Sequence, residues 1–242
     1  MAQRMARGSL SDGGAERRAS RSLAIVALLA AAVVGCSDGR TGNATGAVRV
    51  RLAFAALDPQ VTEVVVTIRP GDGPVFEPIE AQLSQGSAGW TASVSGVPAG
   101  LGRVTEVVAS GAGGVPLYGG SGKADILAGA VAELVVLLGP EAAVEPGANS
   151  APAIDYLSAS QGSVPPGASI RLEAGAHDPD PYDSVSLAWG ASCGSFDSLD
   201  RSVVVWRAPA VERTCLVSLR ASDTVGASSE TYLPITVALP AP

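Results

Sequence analysis

The chain has 242 residues, enough for one large domain or two small ones. Hydrophobic residues make up 47% but aromatics only 4%, and 29 Gly and 17 Pro break the apolar stretches into short runs; that composition favours small β-domains over a helical protein. The net charge is -7, and an acidic chain without a basic cluster excludes nucleic acid as a partner and charge-driven binding to an anionic bilayer.

Residues 1–35 carry five Arg against Asp12 and Glu16, about +3, which leaves the remainder near -10. Arg17, Arg18 and Arg21 precede an almost wholly Leu/Ala/Val/Ile stretch from Leu23 to Val34. This is a basic segment followed by a short apolar one, the pattern of an export signal. A spanning helix needs roughly 20 apolar residues, so the stretch is too short for one.

Val33-Val34-Gly35-Cys36 resembles the lipobox of bacterial lipoproteins. The resemblance implies cleavage after Gly35, with thioether attachment of lipid to Cys36 and acylation of the new N-terminus, palmitate among the acyl chains. It places the chain in the bacterial cell envelope, at the outer membrane, with the periplasmic or surface face left open. A soluble secreted protein is the alternative. Residues 36–46 then read as a flexible lipidated tether, "RTGNATGA" being rich in small and polar residues.

Residues 47–140 read as a first module. Val48, Val50, Leu52 and Phe54 alternate with Arg49, Arg51 and Ala53, the mark of a half-buried strand. Further strands are expected over 61–69, 90–94, 103–109, 116–118, 123–127 and 130–138, separated by Gly/Pro turns. The order "W…V…VPAG…V…A…G…PLYGG…LAG…V…L" resembles the prealbumin-like or carboxypeptidase-regulatory-like β-sandwiches, which implies a scaffold or binding module. "YGGSGKA" at 118–124 fails as a P-loop, because Leu117 and Ala124 stand where Gly and Ser/Thr are needed. It fails as a nucleophile elbow at Lys123, and is read as a flexible turn.

Residues 141–152 are the expected linker, and 153–242 a second module with strands over 154–160, 169–176, 184–189, 201–206, 215–222 and 230–237. "VPPGASIRLEAGAHDPDPYDSVSLAWGAS", "VVVWRAPA" and "CLVSLRASDTVGASSETYLPITV" resemble the immunoglobulin-like repeats of bacterial surface proteins, of the PKD or cadherin-like type. The Gly-Asp-Gly that often follows the PKD tryptophan is absent, so Ig-like is the safer description. The fold expected is all-β, two antiparallel β-sandwich (Ig-like) domains in tandem after a cleaved signal peptide.

With Cys36 acylated, Cys193 and Cys215 remain, an even pair in an oxidising compartment. The Ig-like resemblance puts them at one end of two neighbouring strands, which implies a disulfide; two separate thiols are the alternative. At the other end, Asp178, Asp180, Asp183 and Asp223 fall in two loops that cluster in such a fold. They could supply oxygens for calcium, the one cofactor in view, or simply make Asp-Pro and Asp-x-x-Gly turns. His177 is the one histidine and is read as a partly exposed loop residue. Without a nucleophile beside it, an enzyme is not expected. The reading is a non-catalytic, membrane-anchored envelope lipoprotein. Its sandwiches would serve adhesion or binding of an envelope protein or glycan; a structural spacer or assembly component is the alternative. Trp90, Trp189 and Trp206 sit at strand positions, where core packing is expected.

Overall fold

A computed structural model describes residues 44–53, 59–86, 89–140, 149–181 and 183–239. Cys36, the whole segment 1–43 and most of the expected linker lie outside these residues. The strands are β1 (Thr45–Ala53), β2 (Glu63–Arg69), β3 (Ile79–Gln82), β4 (Ser84–Gly86), β5 (Gly89–Pro98), β6 (Gly100–Ser110), β7 (Pro116–Ile126), β8 (Val131–Leu137) and β9 (Gly139–Pro140). They continue as β10 (Ala153–Ala159), β11 (Ser163–Val164), β12 (Ser169–His177), β13 (Ser186–Ala191), β14 (Ser195–Phe196), β15 (Val203–Arg207), β16 (Arg213–Ser222) and β17 (Ser228–Val237). The all-β expectation holds.

The strands form three sheets. One has eight strands in the order β14-β15-β12-β10-β8-β1-β5-β4; the others run β11-β17-β16-β13 and β3-β2-β6-β7-β9. The long sheet crosses the expected domain boundary, because β10 pairs antiparallel with β8 from Tyr156↔Val136 to Ala159↔Glu133. The two modules therefore share a sheet.

Alternation along β8 explains the arrangement. Ala132, Leu134 and Val136 join a core with Val48, Val50, Val66 and Ile126, whereas Val135 joins the other core with Leu157, Leu172, Trp206 and Leu219. Successive strand residues point to opposite faces, so the two smaller sheets cover opposite faces of the long one. The apolar run "LVVLL" suits a strand buried on both sides. Glu133 immediately precedes it. Arg49 donates to its Oε1 at 2.5 Å and Arg51 lies 3.9 Å from Oε2; burial still pushes the Glu133 carboxyl above its usual range, against the two cations.

The "YGGSGKA" segment is strand, not turn: it lies within β7, paired with β6. Its glycines permit close approach of β7 to the long sheet. A Cβ on Gly122 would lie 2.8 Å from the Tyr156 Cβ, and one on Gly120 would lie 2.7 Å from Leu138 Cδ2. The Tyr156 ring also covers Gly175, its partner on β12.

Candidate functional site

The end of the second module farthest from β1's first residue carries the acids. β12 delivers Asp178, Asp180 and Asp183 into the turn before β13, and one carboxylate oxygen from each lies within 4.8 Å of the others. Local hydrogen bonds shape this loop: Asp178 Oδ1 accepts the Asp180 amide at 2.8 Å, and Asp180 Oδ2 accepts the Ser150 amide at 2.6 Å. Thr224 donates to Asp183 Oδ1 at 2.9 Å. Asp178 Oδ2 is buried and has no hydrogen-bond partner among the described residues. Three carboxylates, each keeping an oxygen free of these bonds, form a small acidic cluster that could coordinate a metal ion. The donor set is all oxygen, the type that suits calcium or magnesium.

Asp223 is not part of that group. Its Oδ1 accepts the amides of Val225, Gly226 and Ala227, and Asn149 donates to Oδ2 at 2.8 Å. The Asn149 amide, followed by the three backbone N–H groups, holds the Asp223 carboxyl below the usual carboxylate range. Asp223 thus closes the β16–β17 turn and ties down residue 149. Ser229 adds a bond to the Pro152 carbonyl at 2.6 Å. His177 stands at the end of β12, exposed, with Nδ1 2.8 Å from Asp155 Oδ1.

At the other end of the module Cys193 and Cys215 form a disulfide with Cα atoms 5.4 Å apart. Cys215 lies on β16, and Cys193 follows β13, the antiparallel neighbour of β16, as the Ig-like pattern implies. Trp206 donates from Nε1 to the Cys193 carbonyl at 3.0 Å and Trp189 to the Arg201 carbonyl at 2.7 Å. Trp90, Trp189 and Trp206 are all buried, as expected of core residues.

A polar group at the seam between the modules was not foreseen. Arg171 of β12 donates to Asp125 Oδ2 of β7 and lies 3.0 Å from Glu173 Oε2; Tyr156 donates to Glu173 Oε1 at 3.1 Å. Gly102 gives its amide to Asp125 Oδ1 at 2.8 Å. Burial, then the Glu173 charge, pushes the Tyr156 hydroxyl pKa well up. Arg171, Glu173 and Gly102 line a cleft with Asp72, Leu101 and Lys123. The alternation of β12 signals which residues face the cleft, but nothing in the sequence pairs Arg171 with an acid 46 positions away.

No protein-family model and no curated protein sequence matches the chain. Solved structures give distant likenesses. A nucleoside hydrolase-related hypothetical protein from Saccharophagus degradans, associated with carbohydrate metabolism, is 18% identical over 38% of this chain and 26% of its own, with TM-score 0.29. Fibronectin(III)-like modules of Clostridium thermocellum CbhA are 17% identical over 75% and 82%, with TM-score 0.27. A leucine-rich repeat protein from Bacteroides thetaiotaomicron is 11% identical over 80% and 25%, with TM-score 0.29. The chain thus spans about a quarter of the first and third of these proteins. Likeness at this level carries no statement about activity.

Proposed function

We propose that the protein is a non-catalytic bacterial envelope lipoprotein, anchored in the outer membrane through acylated Cys36, whose two Ig-like sandwiches serve adhesion or binding of an envelope protein or glycan. The observation that carries this reading is Val33-Val34-Gly35-Cys36 directly after a basic and then an apolar segment. Several acyl chains give stable anchoring, at about 0.8 kcal/mol per buried methylene. Replacement of Cys36 by Ser should release the protein from the membrane fraction; a variant that stays membrane-bound would count against the anchor.

The structural-spacer reading draws support from one feature. The β8–β10 pairing joins the modules through backbone hydrogen bonds, which suits a stiff element better than two independently moving ones. Pull-down from envelope extracts with acyl-free protein separates the two. A retained partner or glycan supports binding, and an empty eluate supports the spacer.

Asp178, Asp180 and Asp183 form a weak calcium site in this reading, the orphaned Asp178 oxygen being the feature that favours it. Calcium should raise the melting midpoint and a chelator should reverse the rise. An unchanged midpoint would assign the acids to turn formation alone.

A further inference from the structure

The small sheet β11-β17-β16-β13 covers only part of one face of the long sheet. Its core takes in Trp206 of β15, Leu172 of β12, Leu157 of β10 and Val135 of β8; from β1 only Ala53 packs against it among the described residues. Beyond that margin the same face continues over β1, β5 and β4. Alternation decides which side chains it carries. Val48, Val50, Trp90, Val94 and Leu83, just before β4, are buried in the other core, so Arg49, Arg51, Thr91, Ser93 and Ser84 point the opposite way.

Strand register draws these five together. Ser93 pairs with Arg49 and Thr91 with Arg51 across β1 and β5, and Ser84 pairs with Thr91 across β4 and β5. Arg49, Arg51, Thr91, Ala92 and Ser93 line a cleft of about 390 Å³, within the size range of ligand pockets.

Glu133, paired with Arg49 across β1 and β8, is the one acid these four strands place on this face among the described residues. Its side chain is 4% exposed. Gly162 closes over it, and a Cβ there would clash with Glu133 Oε1. The arginines above it keep 47% and 37% of their side-chain surface. Arg49 directs one N–H to Glu133 Oε1, and Arg51 Nη2 lies 3.9 Å from Oε2. A guanidinium carries five N–H donors in a rigid fork, so a buried carboxylate orients both forks while most of their donors stay accessible. Two cations over one anion leave an excess of one positive charge on a chain whose net charge is -7.

The chemistry of this shelf selects its occupant. Guanidinium forks match carboxylates through charge-assisted, paired hydrogen bonds. Three neighbouring hydroxyls each donate and accept, which matches the hydroxyls of a sugar. One excess charge suits a monoanionic carboxylate better than a dianionic phosphate. The four strands place no aromatic ring on this face among the described residues, so ring stacking plays no part. We propose that Arg49, Arg51, Thr91, Ser93 and Ser84 bind an acidic polysaccharide, with uronate carboxylates on the arginines and sugar hydroxyls on the Ser and Thr side chains. This names the glycan of the binding reading above and rests on it.

The test titrates the full chain in detergent micelles with polygalacturonate, with neutral dextran and with polyglutamate. Polygalacturonate should bind, more weakly as salt rises, and dextran should not. R51Q and S93E should each weaken that binding about tenfold, S93E by setting a carboxylate beside Arg49. Neither substitution touches the Arg49–Glu133 bond, and melting midpoints verify that the fold is kept. R69Q, at the exposed Arg69–Glu106 pair, should bind as the unaltered chain does. Binding that R51Q and S93E leave unchanged would overturn the site and leave glycan binding standing. Dextran bound as tightly as polygalacturonate would overturn the choice of an acidic sugar, again with glycan binding intact. Polyglutamate bound as tightly would assign the shelf to an acidic protein segment and overturn the proposal. If neither polysaccharide binds, the proposal is overturned, and the envelope pull-down decides separately whether any glycan is retained.

Discussion

Arg171 of β12 reaches Asp125 of β7, so one ion pair connects strands that belong to different sheets on the two sides of the module boundary. Asp125 is 5% exposed and the Arg171 side chain 37%. Stranding a buried charge costs about 3–5 kcal/mol, and the partly exposed arginine lowers that toward the values of surface pairs. Arg171→Met should therefore cost roughly 2 kcal/mol in urea denaturation. It should also raise amide exchange in β8 and β10. Unchanged exchange there would mean that the pair does not hold the seam.

Gly122 faces the Tyr156 side chain with no room for a Cβ. Gly122→Ala should destabilise by about 1–3 kcal/mol through overpacking. Combining it with Tyr156→Gly should cost less than the two separate losses summed, since the clash with the Tyr156 Cβ is then removed. Additive losses would place the strain elsewhere.

The Cys193–Cys215 bridge has a sequence separation of 22. In the chain-entropy model a loop of that length contributes about 3 kcal/mol. The double serine variant should lose about that much in denaturant titration, while reductant should leave its midpoint unchanged.

Asp223 carries a pH signature. Its folded pKa lies below the ordinary value because the Asn149 amide and three backbone N–H groups favour the carboxylate. The stabilisation it supplies is therefore present above the unfolded pKa, about 3.9, and is lost as pH falls through the folded value. Asp223→Asn should melt lower at neutral pH. The gap should close in acid below that range, and a constant gap would exclude the charge as its cause.

The strand pattern of both modules was legible wherever alternation was clean. Val48, Val50 and Leu52 are buried on one face as expected, and the cysteine pair follows from the adjacency of β13 and β16. The shared sheet was not legible. "AVAELVVLL" reads equally as a closing strand and as a strand covered on both faces, and only a partner such as β10 decides between them. "YGGSG" reads locally as a turn because glycine commonly marks one; the reason for Gly122 is Tyr156, 34 positions further on, which no local pattern reveals. Three of the four expected acids meet. Asp223 does not join them, because the three amides that follow it in the β16–β17 turn take up its Oδ1.

The proposed anchor requires Cys36 to become the acylated first residue of the mature protein. Mass spectrometry of the N-terminal peptide from membranes tests it directly. The expected peptide begins at Cys36 and carries the mass of a diacylglyceryl thioether plus an amide-linked acyl chain. An unmodified peptide, or one that begins at another residue, would contradict it.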